Sequence, residues 1–345
     1  MQFFFHNGGA DAVENAIKIA RRHTQKEGVV VFQGSYHGRS FGTMPLTTSK
    51  PVYRAGFGPF MPGVHVAQFP YCSQCWGSSS PPASAATGWS ASSAECCGWA
   101  WSQFEAMIAG GSHPDDLACV IIEPVLGEGG YVVPPTAFLM KLNQWCQTHN
   151  VLLIVDEVQS GMGRCGDWWA HTDMGIVPDL LVFAKGIANG MPLSGVVARE
   201  EVVTNLPRGS MGGTYAGNPL SCAAALAVME VMGEAGFFEE VNRKGALLMN
   251  TFRSRFSDPQ GPWHDVIFDL RGRGLMVGVE FKSNLQGLAS TVSQRGLEVG
   301  LMAMNTGNKE TLRCIPSLLI SDEDLVEGVA RMEKALVLAR AQLKL

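Results

Sequence analysis

The chain has 345 residues, of which 46% are hydrophobic and 17% charged, and its net charge is −5. That composition excludes a disordered chain, and the acidic balance argues against non-specific nucleic-acid binding. The length suits about two domains with real cores, no apolar run reaches the roughly 18 residues of a membrane span, and the start lacks the pattern of a signal peptide.

In chain order, His6 to Ala10 reads as a turn. Ala12, Val13, Ala16, Ile17 and Ala20 then repeat at helical spacing, with basic residues at the far end where they suit the helix dipole. Val29 to Phe32 is a short buried strand leading into the loop Gly34 to Arg39. Residues 70–100 read as a flexible Cys- and Ser-rich insertion, polar from Ser78 to Ser93. It holds Cys72, Cys75 and the adjacent pair Cys96 and Cys97, a spacing poorly suited to one zinc ion, so no metal is assigned. Cys119, Cys146, Cys165, Cys222 and Cys314 sit in apolar runs, as free thiols in a reducing compartment do.

Strand and helix then alternate. Leu117 to Ile122 is an apolar strand ending at Glu123. A helix follows from Pro135 to His149. Val151 to Val155 is a strand ending at Asp156, and Leu180 to Ala184 one ending at Lys185. Continuous apolar strands of this kind belong to a parallel sheet covered on both faces, so the fold class is α/β. Beyond residue 235 come a helix over Phe237 to Phe256, the stretch Val266 to Gly274, a strand over Met276 to Phe281 and a helix over Asp324 to Leu343. We read residues 1–235 as a large domain and 236–345 as a smaller C-terminal α+β domain.

Open α/β sheets bind ligands beyond the carboxyl ends of their strands, where Glu123, Asp156 and Lys185 all fall. A partly desolvated lysine can form a Schiff base with an aldehyde. A buried carboxylate can keep a pyridine nitrogen protonated, and a helix start with small residues can bind a phosphate. These are the requirements of pyridoxal 5′-phosphate (PLP).

Seven blocks now carry a resemblance. They are residues 7–16, Tyr36-His37-Gly38-Arg39, 123–130, 156–164, 178–186, 212–219 and 271–274. In this order the sequence resembles the class III, or omega-type, aminotransferases of PLP fold type I. The resemblance implies a mostly parallel seven-stranded central sheet flanked by helices. It implies Lys185 as the Schiff-base lysine and general base, Asp156 as the partner of the pyridine nitrogen, and Gln159 near the ring's phenolic oxygen. Gly9 and Ala10 would cradle the phosphate and Tyr36 would stack on the ring. Thr214 would reach the phosphate of a neighbouring subunit, implying a homodimer with shared active sites. Arg313 would grip the α-carboxylate of the oxo acid, and Glu128 would neutralise Arg313 when an omega-amino donor is bound.

The implied reaction moves an amino group from an omega-amino acid, 4-aminobutyrate- or ornithine-like, to a 2-oxo acid such as 2-oxoglutarate. The same motifs leave open an amino-acid racemase or epimerase, or a non-catalytic PLP-binding homologue. Gly8 stands where the family usually has Ser. Met1 lies just ahead of the first block, so the usual N-terminal segment, part of the small domain, dimer contact and pocket, is expected to be missing. The expected setting is cytoplasmic, or mitochondrial if the natural chain has a longer N-terminus.

Overall fold

The computed structural model describes residues 1–71, 97–258, 260–307 and 309–345. Cys72, Cys75 and Cys96 and the side chain of Cys97 lie outside the described residues, and with them the insertion's possible metal ligands.

The large sheet is built from β1 (Gln2–His6), β2 (Gly28–Phe32), β3 (Val64–Ala67), β4 (Leu117–Ile122), β5 (Leu152–Asp156), β6 (Leu180–Phe183) and β7 (Ser194–Ala198). These form a seven-stranded sheet in the order β1-β7-β6-β5-β4-β2-β3. β7 runs antiparallel to both neighbours, and the other pairings are parallel. β2, β4, β5 and β6 are buried at every residue.

Their apolar runs reflect cover on both faces. Along β2, Val29 and Val31 face one side, where α1 (Gly9–Thr24) packs Ala12, Val13, Ala16, Ile17 and Ala20. Val30 and Phe32 face the other, under Trp101 and Phe104 of α2 (Cys97–Ala109) and Phe138, Leu139 and Leu142 of α3 (Thr136–Thr148). α1 carries Asp11 in its first turn and Arg21, Arg22 and His23 in its last, each end matched to the helix dipole.

One expectation changes at its end: the insertion expected over 70–100 gives way to α2 from Cys97, and Ala100 is fully buried. The aromatic run at the start forms the edge strand β1, paired with β7.

α4 (Glu200–Val203) and α5 (Pro219–Met232) lead to the second half. There α6 (Phe237–Phe256), β8 (Ile267–Arg273), β9 (Met276–Phe281), α7 (Leu288–Gly296), β10 (Met304–Asn305), β11 (Thr311–Cys314) and α8 (Asp322–Leu343) follow in order. The four strands form an antiparallel sheet, β10-β11-β9-β8, packed against α6, α7 and α8 through Leu248, Phe252, Val277, Val279, Leu312 and Leu336. α8 starts earlier than its apolar period because the Ser321 hydroxyl caps it, accepting from the Asp324 N–H at 3.0 Å. No single helix among the described residues is long and apolar enough to cross a bilayer. α5 and α6 reach that length only together, bent by 75°.

Candidate active site

β4, β5 and β6 are neighbours in the sheet and parallel, so their carboxyl ends lie side by side. Glu123 follows β4, Asp156 closes β5, and Lys185 opens a short 3-10 turn after β6. The adjacent strand order turns three charges distant in sequence into one cluster.

Asp156 lies at the floor, 3% exposed. Its Oδ1 accepts the Val158 N–H at 3.0 Å, and its Oδ2 lies 2.7 Å from His37 Nδ1. His37 is held in turn by its own N–H, donated to the Thr47 hydroxyl at 3.0 Å. The far ring nitrogen of His37 is buried and has no protein partner. Sequence reading missed His37 as a site residue, although it stands in the Tyr36-His37-Gly38-Arg39 block. Its one available signal was that a polar ring followed a fully buried strand.

Lys185 has a positive φ of 49°, uncommon for a residue with a β-carbon and a mark of local strain. Its side chain opens onto the cleft, yet protein crowds it on most sides, and this desolvation lowers its pKa. Asp156, Glu123 and Glu128 oppose that shift, and Arg313 adds to it. Glu123 is buried, and burial raises its pKa, with Asp156 adding repulsion. Its carboxylate joins two loops, accepting from the Tyr36 N–H at 2.8 Å and the Gly127 N–H at 2.9 Å.

The start of α1 closes one side. A β-carbon on Gly9 would meet Val158 Cγ1 at 3.2 Å and Ala184 Cβ at 3.6 Å, placing Gly9 against residues two positions after Asp156 and one before Lys185 in sequence. The N–H groups of the first helical turn have no preceding turn to bind. Gly8, which stands where Ser was expected, instead donates its N–H to Asp11 Oδ2 at 3.3 Å. Gly38 lies over Ala10 at φ 122°, where a β-carbon would come within 2.7 Å of Ala10 Cβ.

A cleft of about 1270 Å³ opens above. Tyr36, Glu128, Gln159, Lys185 and Arg313 all line it. Arg313, on β11, and Glu128 form an ion pair across the two sheets' elements. Lys50 lies 3.8 Å from the same carboxylate. The Tyr36 ring meets Tyr53 edge-on at 5.3 Å, and burial raises the Tyr36 pKa. Arg39, Lys50 and Tyr53 also line the cleft and had not been expected there. Thr214 is not among the lining residues, and it is exposed on the loop before α5.

A family model for the class III aminotransferases matches residues 1–336. The chain belongs to the class III aminotransferases. The 4-aminobutyrate aminotransferase of Mycobacterium leprae is 38% identical over 338 residues, covering 96% of this chain and 72% of that one. The 5-aminovalerate aminotransferase of Pseudomonas aeruginosa is 37% identical over 329 residues, covering 93% and 72%. Among solved structures, a PLP-bound amine transaminase from an uncultivated Pseudomonas species superposes with a TM-score of 0.83 at 26% identity, covering 98% of this chain and 77% of that one. The class III aminotransferase described here is therefore a PLP-dependent transaminase, and it transfers an amino group between an amino donor and an oxo acid.

The side chains present fit that cofactor. Lys185, an amine of lowered basicity, lines the cleft, whereas the buried Asp156 carboxylate and the helix start at Gly9 and Ala10 are not among its lining residues, and Gly9 lies against Val158, which is. Beside them, Gln159 Oε1 is buried with no protein partner, an acceptor free for a hydroxyl.

Proposed function

We propose that this aminotransferase takes its amino group from an omega-amino acid of the 4-aminobutyrate, 5-aminovalerate or ornithine kind and passes it to a 2-oxo acid such as 2-oxoglutarate. The observation that carries this reading is the Glu128–Arg313 pair on the cleft wall. A donor that reacts through its omega end brings no carboxylate to that wall, so Arg313 needs a charge partner from the chain, and Glu128 is one. An oxo acid brings its own α-carboxylate, which the planar guanidinium can bind through two N–H groups once Glu128 yields.

In this reading PLP, when bound, supplies an electrophilic aldehyde and an electron-accepting ring. The remaining work falls to the chain. Gly9 and Ala10 would offer backbone N–H groups to the cofactor's phosphate, Gln159 would bind its phenolic oxygen, and Tyr36 would supply an aromatic surface. Asp156 would offer its carboxylate to the ring nitrogen, and His37 fixes the orientation of that carboxylate through Oδ2. Lys185 Nζ would hold the aldehyde carbon until the substrate's amine displaces it, and the freed amine, whose neutral form crowding favours, could then take and return the proton on the reacting carbon.

Thr214 is assigned to the phosphate site of a second copy, and we take the enzyme to be a homodimer with shared sites. α5 supports this: Leu220 and Leu226 on it are 74% and 62% exposed, unusual for so apolar a helix. Five free cysteines among the described residues fit a reducing cytoplasm. We further divide the chain into a PLP-binding domain over 1–235 and a small domain over 236–345.

The test is borohydride reduction of the PLP-loaded protein followed by peptide mass spectrometry, with a panel of amino donors run against 2-oxoglutarate and pyruvate. The pyridoxyl mass is expected on Lys185 and omega-amino acids are expected to lead the panel. A label on another residue, or no amino product from any omega-amino donor, refutes the reading. Racemisation of one enantiomer without oxo acid would redirect it to a racemase.

A further inference from the structure

The loop that carries Glu128 hangs from the sheet with β4, but it is gripped by the other sheet. In the register of β8, β9 and β11, Arg271 faces Gly278 and Gly278 faces Arg313. Residues directly opposed across strands present their side chains on one face, so the three form a row. The loop settles on that row at three points. Arg271 donates to the Gly130 carbonyl from Nε at 2.9 Å and from Nη2 at 2.5 Å. Gly278 leaves a hollow: a β-carbon there would meet Tyr131 Cβ at 3.1 Å and the Gly130 carbonyl at 3.2 Å. Arg313 takes the Glu128 carboxylate.

Arg271 is itself fixed. Asp269 lies 3.0 Å and Glu280 2.6 Å from its Nη1, and it donates to the Tyr71 hydroxyl at 2.9 Å. These contacts, none of them from the loop that carries Glu128, fix the direction of the guanidinium. Gly130 and Tyr131 both have positive φ, 125° and 55°, a turn that the Arg271 bonds help to hold.

We propose that Arg271 and Gly278 are positioning residues that set where Glu128 stands and so how fully the Glu128–Arg313 pair forms. This rests on the reading of that pair as the partner-exchange site for carboxylates. A displaced loop weakens the pair. The omega-amino donor then meets an arginine without its charge partner, while a carboxylate meets less competition from Glu128. Loss of the grip therefore damages the donor half-reaction and spares the acceptor half-reaction.

The experiment compares Arg271→Met, Gly278→Ala and Glu128→Gln in the PLP-loaded enzyme, measuring kcat/KM separately for 4-aminobutyrate and 2-oxoglutarate. Calorimetric binding of glutarate, a carboxylate that cannot react, is measured beside it on PLP-free protein. For Arg271→Met the donor-to-acceptor ratio of kcat/KM is expected to fall about tenfold, with glutarate bound no more weakly than before. Gly278→Ala is expected to move the ratio the same way by less, and it decides alone if Arg271→Met fails to fold. Equal losses in both half-reactions, or no change in the ratio, overturn the positioning role. Glu128→Gln separates the two levels. If it leaves the ratio unmoved, the carboxylate reading itself fails. If it moves the ratio and the other two variants do not, the inference alone fails.

Discussion

Gly38→Ala probes the contact that joins the Tyr36 loop to the start of α1. The glycine has φ 122°, well outside the left-handed region that other residues tolerate. A β-carbon would lie 2.5 Å from the Thr43 hydroxyl, 2.7 Å from Ala10 Cβ and 3.0 Å from Ala10 Cα. Backbone strain at such a position costs about 1–3 kcal/mol, and forced overlap about 1–3 kcal/mol more, so a loss of about 2–6 kcal/mol is expected. The overlap is relieved only by moving the loop off α1, which carries Tyr36 and His37 away from the cleft and disturbs the Ala10 N–H.

The assay is thermal unfolding together with a PLP titration followed by absorbance. Gly56→Ala is the control: its φ is 83° and nothing lies within 4 Å of an added β-carbon, so it carries strain without overlap. Gly38→Ala is expected to lose clearly more stability than Gly56→Ala and to weaken PLP binding by about tenfold, which corresponds to about 1.4 kcal/mol. Equal stability losses with unchanged PLP affinity would refute the argument that close packing of the loop on Ala10 shapes the cradle.

Two further predictions concern pH and packing. Burial raises the Glu123 pKa, so the folded chain keeps a proton that the unfolded chain releases above about 4.3; stability from this group is full below that value and falls as pH rises through the raised folded value. Glu123→Gln removes this titration, so its melting temperature relative to the parent should climb as pH rises from acid towards neutrality, and a constant difference would contradict the shift. Gly245 on α6 faces the Gly274 carbonyl, which a β-carbon would approach to 2.4 Å. Gly245→Ala should therefore cost about 1–3 kcal/mol in urea unfolding while leaving borohydride labelling of Lys185 intact, and an unchanged midpoint would refute the close approach.

Much of the cofactor side was legible because local signals and global fold agree there. β4 and β6 are apolar at every position and β5 at all but its last, with turns on either side, and the charges that end them are too conspicuous to belong to a core. α1 and α6 announce themselves by period. The elements that stayed hidden lack such agreement. β7, Ser-Gly-Val-Val-Ala, contains Gly195, whose missing side chain admits Phe183 and the Phe4 carbonyl, a reason invisible without the neighbouring strands. α5 is apolar on nearly every side, so no period marks its inner face. Asp269 and Arg271 alternate with apolar residues as on a solvent-facing strand, and they are buried only because Tyr71 and Gly130, distant in sequence, cover them. His37 is a site residue by virtue of Asp156, and no spacing links the two.

The placement of these groups separates two tasks. Lys185, Asp156, Gln159 and Tyr36 all lie at or near the carboxyl ends of strands in the large sheet, and His37 and Glu123 brace them from within it. Arg313 alone among the sequence-predicted cleft residues stands on the small sheet. Glu128 joins the two, since Gly127 is tied to Glu123 on one side and Gly130 to Arg271 on the other. A change at Arg271 or Gly278 reaches the carboxylate site without touching the floor, whereas a change at Glu123 disturbs both. The Glu128–Arg313 pair can therefore be shifted from the small sheet while Lys185 and Asp156 stay in place.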